Sequence, residues 1–126
     1  MNDQLMASVY IATKDKELSA SLQDLLYRAG FKAAAFDQTK LMLNEGDRKR
    51  PLCILAGEHT GEPDTREFIG QVKDRWPETP IIIIAKNGKL SRAVKALQAG
   101  AFDYLEAPVV DRILLKSVHE AITSLE

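Results

Sequence analysis

The chain has 126 residues, of which 45% are hydrophobic and 28% charged, and its formal net charge is -1 at pH 7. This length and composition fit the core of one domain, so we expect a single domain over residues 1–126, within a longer protein. A net charge so close to zero gives no general attraction to polyanions. We therefore expect no direct nucleic-acid binding and no membrane association by this domain.

The N-terminal residues lack the basic and long apolar regions of a signal peptide, and no apolar run approaches the length of a membrane span. The single cysteine, Cys53, lies in the apolar run 52–55, which indicates a buried, reduced thiol. Both features are typical of a cytoplasmic protein.

The first third of the chain alternates strand and helix patterns. A β-rich run at 8–12 precedes a helix that Asp15 caps and Gly30 ends. The apolar residues of that helix keep helical spacing: Leu18, Leu22, Leu25, Leu26 and Ala29. A second strand is predicted at 32–36, and a shorter helix runs from Asp37 toward Glu45.

A third strand is predicted at 52–56, and Asp64 with Glu67 then resembles a capping box that opens a helix. The predicted inner face of that helix consists of Phe68, Ile69, Val72 and Trp76. The four isoleucines at 81–84 show no polar alternation. This pattern favours a strand of a parallel sheet covered on both faces.

A helix is predicted after Asn87 and Gly88, because apolar residues recur there at the spacing of one helix face: Leu90, Ala93, Val94 and Leu97. We expect this stripe to lie on the sheet, with Gly100 as the left-handed stop. A fifth strand is predicted at 102–105. The last helix, about 111–124, is predicted to bury Ile113, Leu114, Val118, Ala121 and Ile122.

Five strands that alternate with five helices predict a parallel, doubly wound α/β sheet. In such sheets the functional crevice lies beyond the carboxyl ends of the strands. The residues expected there are Thr13, Lys14, Asp15, Ala56, Gly57, Glu58, Ala85, Lys86, Glu106 and Ala107. The spacing of the glycines matches neither a dinucleotide fingerprint nor a P-loop.

Two stretches carry a resemblance to a known family. The segment ETPIIIIA, followed by AVKALQAGAFDYLEAP, resembles the strand-four to strand-five region of response-regulator receiver domains, especially those of NtrC-type and FixJ-type transcriptional regulators. VYIATKDKELSASLQDLLYRAGF resembles their first βα unit. The resemblance implies a CheY-like, flavodoxin-like (βα)5 sandwich of three layers, with sheet order 2-1-3-4-5. It also implies a place in two-component phosphorelay signalling.

The residues that support phosphorylation in that family are replaced. A typical receiver has two acidic residues after strand one, a phosphoacceptor aspartate ending strand three, a threonine or serine ending strand four and a lysine after strand five. At these positions the chain has Thr13, Lys14, Ala56, Ala85 and Ala107. Alanine cannot form an acyl phosphate, and Lys14 replaces a cation ligand with a positive charge. We expect no phosphorylation, no metal, no cofactor and no catalytic residue.

Other charged residues border the expected crevice, among them Asp15, Glu58 and Lys86. One interpretation pairs Lys14 or Lys86 with Glu58 in place of a metal, and the other leaves them as solvated loop residues. His59 has no neighbours at metal-ligand spacing, and the basic tract at 48–50 is interpreted as a solvated loop.

The resemblance places Tyr104 at the family's switch-aromatic position, and without the threonine we interpret Tyr104 as a packed amphipathic side chain. It also implies dimerisation through the fourth helix, fifth strand and fifth helix, where charges of both signs occur: Lys89, Arg92, Lys95, Asp103, Asp111 and Glu120. The alternative for this face is a solvated surface.

The functional hypothesis is an interaction module without phosphorylation, attached to an output domain of a transcriptional regulator. The alternative is a sensor that binds a small ligand in the vacated crevice, which a large apolar-lined cavity would favour. An enzyme on this fold is disfavoured, because the sequence offers no nucleophile and base pair.

Overall fold

The computed structural model describes residues 8–45, 50–58 and 63–125; His59 and most of the basic tract at 48–50 lie outside these ranges. Five strands alternate with five helices along the chain. The strands are β1 (Val9–Ala12), β2 (Ala33–Phe36), β3 (Cys53–Gly57), β4 (Ile81–Lys86) and β5 (Asp103–Ala107). The helices are α1 (Lys16–Arg28), α2 (Thr39–Glu45), α3 (Thr65–Arg75), α4 (Leu90–Ala99) and α5 (Asp111–Thr123).

All five strands are parallel, and their order is β2-β1-β3-β4-β5, as predicted. The order reverses at β1, so the carboxyl ends of β1 and β3 lie side by side at the point where such sheets place their functional crevice. Ala12, the last residue of β1, is opposite Phe36 on one side and Ala56 on the other.

The isoleucines of β4 are buried on both faces of the sheet. Ile81 and Ile83 pack on the side of α3, where Phe68 and Trp76 also lie. Ile82 and Ile84 pack on the opposite side, with residues of α1 and α5. Burying each such side chain contributes about 1.5–3 kcal/mol, so the two-sided burial predicted from the run of isoleucines is a main source of stability.

Local signals fix several helix ends as the sequence predicts. The Asp15 carboxylate accepts a hydrogen bond from the Leu18 amide at 3.0 Å and caps α1. Asp64 and Glu67 form a reciprocal capping box at α3, with distances of 2.8 and 3.2 Å. Gly100 ends α4 with a φ of 118°, a left-handed conformation that glycine adopts without strain.

The predicted orientation of α4 is wrong. Leu90, Val94 and Leu97 are 82%, 42% and 47% exposed, whereas Ala96 is the buried residue of this helix. α4 carries a second set of inward residues, Arg92, Ala93, Ala96 and Ala99, and the small alanines let the helix lie close to the sheet. Helical periodicity alone does not show which of two apolar arcs faces the core.

In α5 the same kind of correction applies to Ile113, which is exposed. The buried residues of α5 are Leu114, Ser117, Val118 and Ala121. Ser117 takes an inward position because its hydroxyl donates to the Asp103 carboxylate at 2.7 Å. This hydrogen bond allows a polar residue to be buried, which the pattern of apolar residues did not predict.

Candidate functional site

The end of β3 is the position that the resemblance assigns to the phosphoacceptor. β3 extends to Gly57, one residue beyond the predicted end. A Cβ atom added to Gly57 would lie 2.7 Å from Thr13 Oγ1, so position 57 faces the loop after β1. Ala56 is fully buried in the core on the α3 side. The strand-end position is therefore held by Gly57 rather than Ala56, and neither residue has a group that accepts phosphate.

The loop after β1 and the end of β4 are joined by an ion pair. Lys86 Nζ lies 2.6 Å from Asp15 Oδ2. Hydrogen bonding with Lys86 lowers the pKa of Asp15, and the same contact raises the pKa of Lys86. Of the two interpretations of these charges, the one that pairs Lys14 or Lys86 with Glu58 does not hold, because Glu58 pairs with Arg92. Lys86 pairs with Asp15, and Lys14 is exposed.

Glu58 belongs to a second group, which we call the Glu58 cluster: Glu58, Arg92 and Tyr104. The Tyr104 hydroxyl donates to Glu58 Oε2 at 2.7 Å, and Arg92 Nε lies 3.2 Å from the same oxygen. The contact of Arg92 Nε is an ion pair without hydrogen-bond alignment. Arg92 Nη2 donates to the Asn87 carbonyl at 2.7 Å. The cluster thus connects the residue after β3 with α4, β5 and the loop between β4 and α4.

Tyr104 is packed, as predicted, and it is also a hydrogen-bond donor. Burial raises the pKa of Tyr104, and the hydrogen bond to the Glu58 carboxylate raises it further. A Cβ atom at Gly88 would lie 3.1 Å from both the hydroxyl and Cε1 of Tyr104. The absence of a side chain at Gly88 therefore makes room for the tyrosine ring.

Sequence reasoning did not identify Gly88 or Asn87 as part of the site. Asn87 has a φ of 52° and is the one non-glycine residue with positive φ in the part of the chain that the structure describes. The signal was the dipeptide Asn87-Gly88, which was interpreted only as a break between strand and helix.

The remaining predicted pocket positions offer little chemistry. Ala85 is fully buried, Ala107 is half-buried, and Glu106 is exposed. No group of three His, Cys, Asp or Glu side chains with metal-binding geometry occurs within residues 8–45, 50–58 and 63–125. Burial raises the pKa of the Cys53 thiol to about 12, so Cys53 is an unreactive core thiol.

An open cleft of about 990 Å³ lies beside the carboxyl ends of β1 and β3. Its walls come from the loops after β1 and β2, from the end of β3 and from α2 and α3. Most lining residues are polar or charged, among them Lys14, Asp37, Lys40 and Asp74. This lining does not decide between the two functional hypotheses, and the small-ligand sensor stays a prediction.

The residues of the predicted charged face divide into exposed ones and ones that form contacts within the domain. Lys89, Lys95 and Glu120 are exposed. Arg92 is engaged by Glu58, and Asp103 accepts hydrogen bonds from Ser117 and from the Tyr104 amide. Asp111 lies 3.9 Å from Arg28. The apolar stripe of α4 lies on this same face, so the surface combines exposed apolar and basic residues.

Comparisons with known proteins place these features in a family. The model of the response regulator receiver domain matches residues 9–119. The response regulator protein FleR of Pseudomonas aeruginosa is 28% identical over 114 residues, which cover 90% of this chain and 24% of FleR. The transcriptional regulatory protein FixJ of Bradyrhizobium diazoefficiens is 29% identical over 118 residues, covering 94% of this chain and 58% of FixJ. The chain thus spans about a quarter of FleR and just over half of FixJ.

The fold agrees with a solved structure of the same kind. The solution structure of the beryllofluoride-activated NtrC4 receiver domain dimer superposes with a TM-score of 0.86 at 21% identity, covering 94% of this chain and 98% of that chain. Within the described ranges, no helix has both the length and the hydropathy that crossing a bilayer requires. The family match extends over most of the sequence, and the chain belongs to the response regulator receiver domains, which are signalling domains rather than enzymes.

Proposed function

We propose that this domain is a pseudo-receiver that acts through protein–protein contacts and takes no phosphoryl group. The observation that carries the proposal is the strand end itself. Gly57 faces Thr13 where the resemblance calls for a phosphoacceptor and an acidic partner. Lys86, paired with Asp15, supplies a positive charge at the edge where a cation would need clustered carboxylates.

The surface that performs this function is the face of α4, β5 and α5. Leu90, Val94 and Leu97 form an exposed apolar stripe on α4, and contiguous apolar exposure of this kind is typical of an interaction site. Lys89 and Lys95 flank the stripe, and the exposed Glu120 lies on α5. Charges of both signs on one surface suit two-fold self-association, in which each copy meets the complement of its own charges.

The relatives also indicate the kind of protein to which this domain belongs. FixJ is a transcriptional regulatory protein, and this chain covers only part of its length. We propose that the chain is one domain of a longer cytoplasmic regulator, whose output domain is the other protein partner. Contact between the two domains then depends on the same α4 face.

Sedimentation velocity at micromolar to high micromolar concentration tests this function. The wild-type chain should show a concentration-dependent dimer, and Leu97→Glu should abolish it, because a buried, unpaired carboxylate is costly at an apolar interface. The control is Tyr27→Glu, which places the same charge at an exposed aromatic residue of α1. A wild type that stays monomeric throughout, or equal effects of the two substitutions, would contradict self-association through this face.

A further inference from the structure

The amino-terminal half of α4 has little apolar support. Ala96, in the second half of the helix, is its buried residue, and Leu90 and Val94 are exposed. Lys89 occupies the N-cap position without a side-chain hydrogen bond to the helix. The start of the helix therefore has only the small, half-buried Ala93 as apolar contact and no hydrogen bond from a capping side chain.

Arg92 provides a different attachment for this half of the helix. Its Nη2 donates to the Asn87 carbonyl, so the guanidinium spans the turn that leads into α4. Asn87 is held in a left-handed conformation, which costs a non-glycine residue free energy unless its surroundings compensate. The bond from Arg92 supplies such compensation at the carbonyl of Asn87 itself.

Glu58 connects Arg92 to the sheet. The Glu58 amide donates to the Ile84 carbonyl at 2.9 Å, which continues the β3–β4 ladder by one residue. Its carboxylate is held on a second side by the Tyr104 hydroxyl, and Tyr104 belongs to β5. An arginine that contacts Glu58 is thus connected to β3 by the chain itself, to β4 by the Glu58 amide and to β5 by the Glu58 carboxylate.

We propose that Arg92 is a positioning residue: through Glu58 and Tyr104 it holds the Asn87–Val94 segment in one place and so fixes the orientation of the apolar stripe on α4. The inference rests on the proposed function, because the stripe is the surface assigned to partner contact. The cluster sets that surface by sequence alone, without any modification of the chain. Loss of Arg92 leaves the sheet intact and frees the start of α4.

Amide hydrogen exchange of the whole chain tests the proposal. In Arg92→Gln, amides in the Asn87–Val94 segment should exchange about tenfold faster than in wild type, the effect of losing one charge-assisted contact. The exchange rates of the β1 amides should be unchanged. Arg66→Gln, at an exposed arginine of α3, is the matched control and should change neither region. Arg92→Lys keeps the charge but not the planar set of guanidinium donors. The exchange rates of its Asn87–Val94 amides should lie between those of Arg92→Gln and wild type.

Two outcomes would overturn the proposal. One is equal exchange of the Asn87–Val94 amides in Arg92→Gln and Arg66→Gln. The other is a uniform acceleration that includes β1, which would make Arg92 a general stabiliser of the domain. Self-association of Arg92→Gln should also weaken, measured in buffer without urea, where the variant is folded. If the wild type proves monomeric, the proposed self-association fails, while the exchange comparison still decides the role of Arg92.

Discussion

Two ion pairs lie at the same edge of the sheet, and they differ in burial. The Lys86 and Asp15 side chains are 70% and 28% exposed, whereas the Arg92 and Glu58 side chains are 40% and 9% exposed. Water screens the first pair, so it contributes little to the stability of the fold. In the second pair the Glu58 carboxylate also binds the Tyr104 hydroxyl, and the Glu58 side chain is largely removed from water. Burial, rather than the distance between the charges, therefore distinguishes the ion pair that stabilises the fold from the one that does not.

The largest effect is expected for Glu58→Ala. This change leaves the Tyr104 hydroxyl and the Arg92 guanidinium without their shared acceptor, and we expect a loss of about 1–3 kcal/mol in the free energy of unfolding. Urea denaturation measures it. The control is Glu106→Ala, at an exposed glutamate of β5, which should change the free energy by less than about 0.5 kcal/mol. Equal losses in the two variants would contradict the structural role of the cluster.

A smaller effect is expected for Gly88→Ala, which tests the fit of Tyr104. The new methyl group would lie 3.1 Å from the tyrosine ring and hydroxyl, so we expect a loss of about 1 kcal/mol in the free energy of unfolding. Gly70→Ala in α3 is the control, since no atom lies within 4 Å of its added Cβ. That variant should gain about 0.5–1 kcal/mol from helix propensity. Stabilisation by both alanines would show that Tyr104 is not close to Gly88.

A third effect concerns the alkaline titration of Tyr104. Its folded pKa is raised above the ordinary value, first by burial and then by Glu58. The contribution of the protonated Tyr104 to the free energy of unfolding is therefore complete below the unfolded pKa of about 10. It is lost as pH rises through the folded pKa. The difference in phenolate absorbance between wild type and Tyr104→Phe isolates this residue. Its midpoint should exceed that of an exposed tyrosine and should move down in Glu58→Gln, while a midpoint at the ordinary value would argue against the buried hydrogen bond.

The smallest effect is expected for Lys86→Gln, which removes the exposed pair. At neutral pH its urea midpoint should lie only slightly below that of the wild type, because water screens the exposed pair. The folded pKa of Asp15 is lowered from 3.8 by Lys86, so the contribution of the pair is present above that value and is lost as pH falls through the folded pKa. The urea midpoints of wild type and Lys86→Gln should therefore become equal in acid. A large destabilisation at neutral pH would remove the contrast between the two pairs.

Much of the fold follows from patterns whose physical cause is local or periodic. The isoleucines at 81–84 specify burial on both faces, Asp64 with Glu67 specifies a helix start, and Gly100 specifies a helix end. In parallel sheets the functional crevice lies beyond the carboxyl ends of the strands, and this rule predicts which edge holds the candidate site. Thr13 and Gly57 lie close together at that edge.

The errors have physical reasons too. The orientation of α4 was missed because its alanines, not its leucines, permit close approach to the sheet. The partner of Lys86 depends on which side chain each loop presents, which composition does not encode. The strand end was placed at Ala56 because the apolar run stops there, whereas the backbone ladder continues to Gly57, opposite Ile84.

The central claim is that this receiver domain works without phosphorylation, and intact-mass measurement after incubation with acetyl phosphate and Mg²⁺ tests it most directly. A phosphorylatable receiver treated in parallel verifies the reagent. With Gly57 and Ala56 at the end of β3, the mass of this chain should stay unchanged. A stoichiometric phosphate adduct that hydroxylamine removes would contradict the claim, because it would show an acyl phosphate on a carboxylate of this domain.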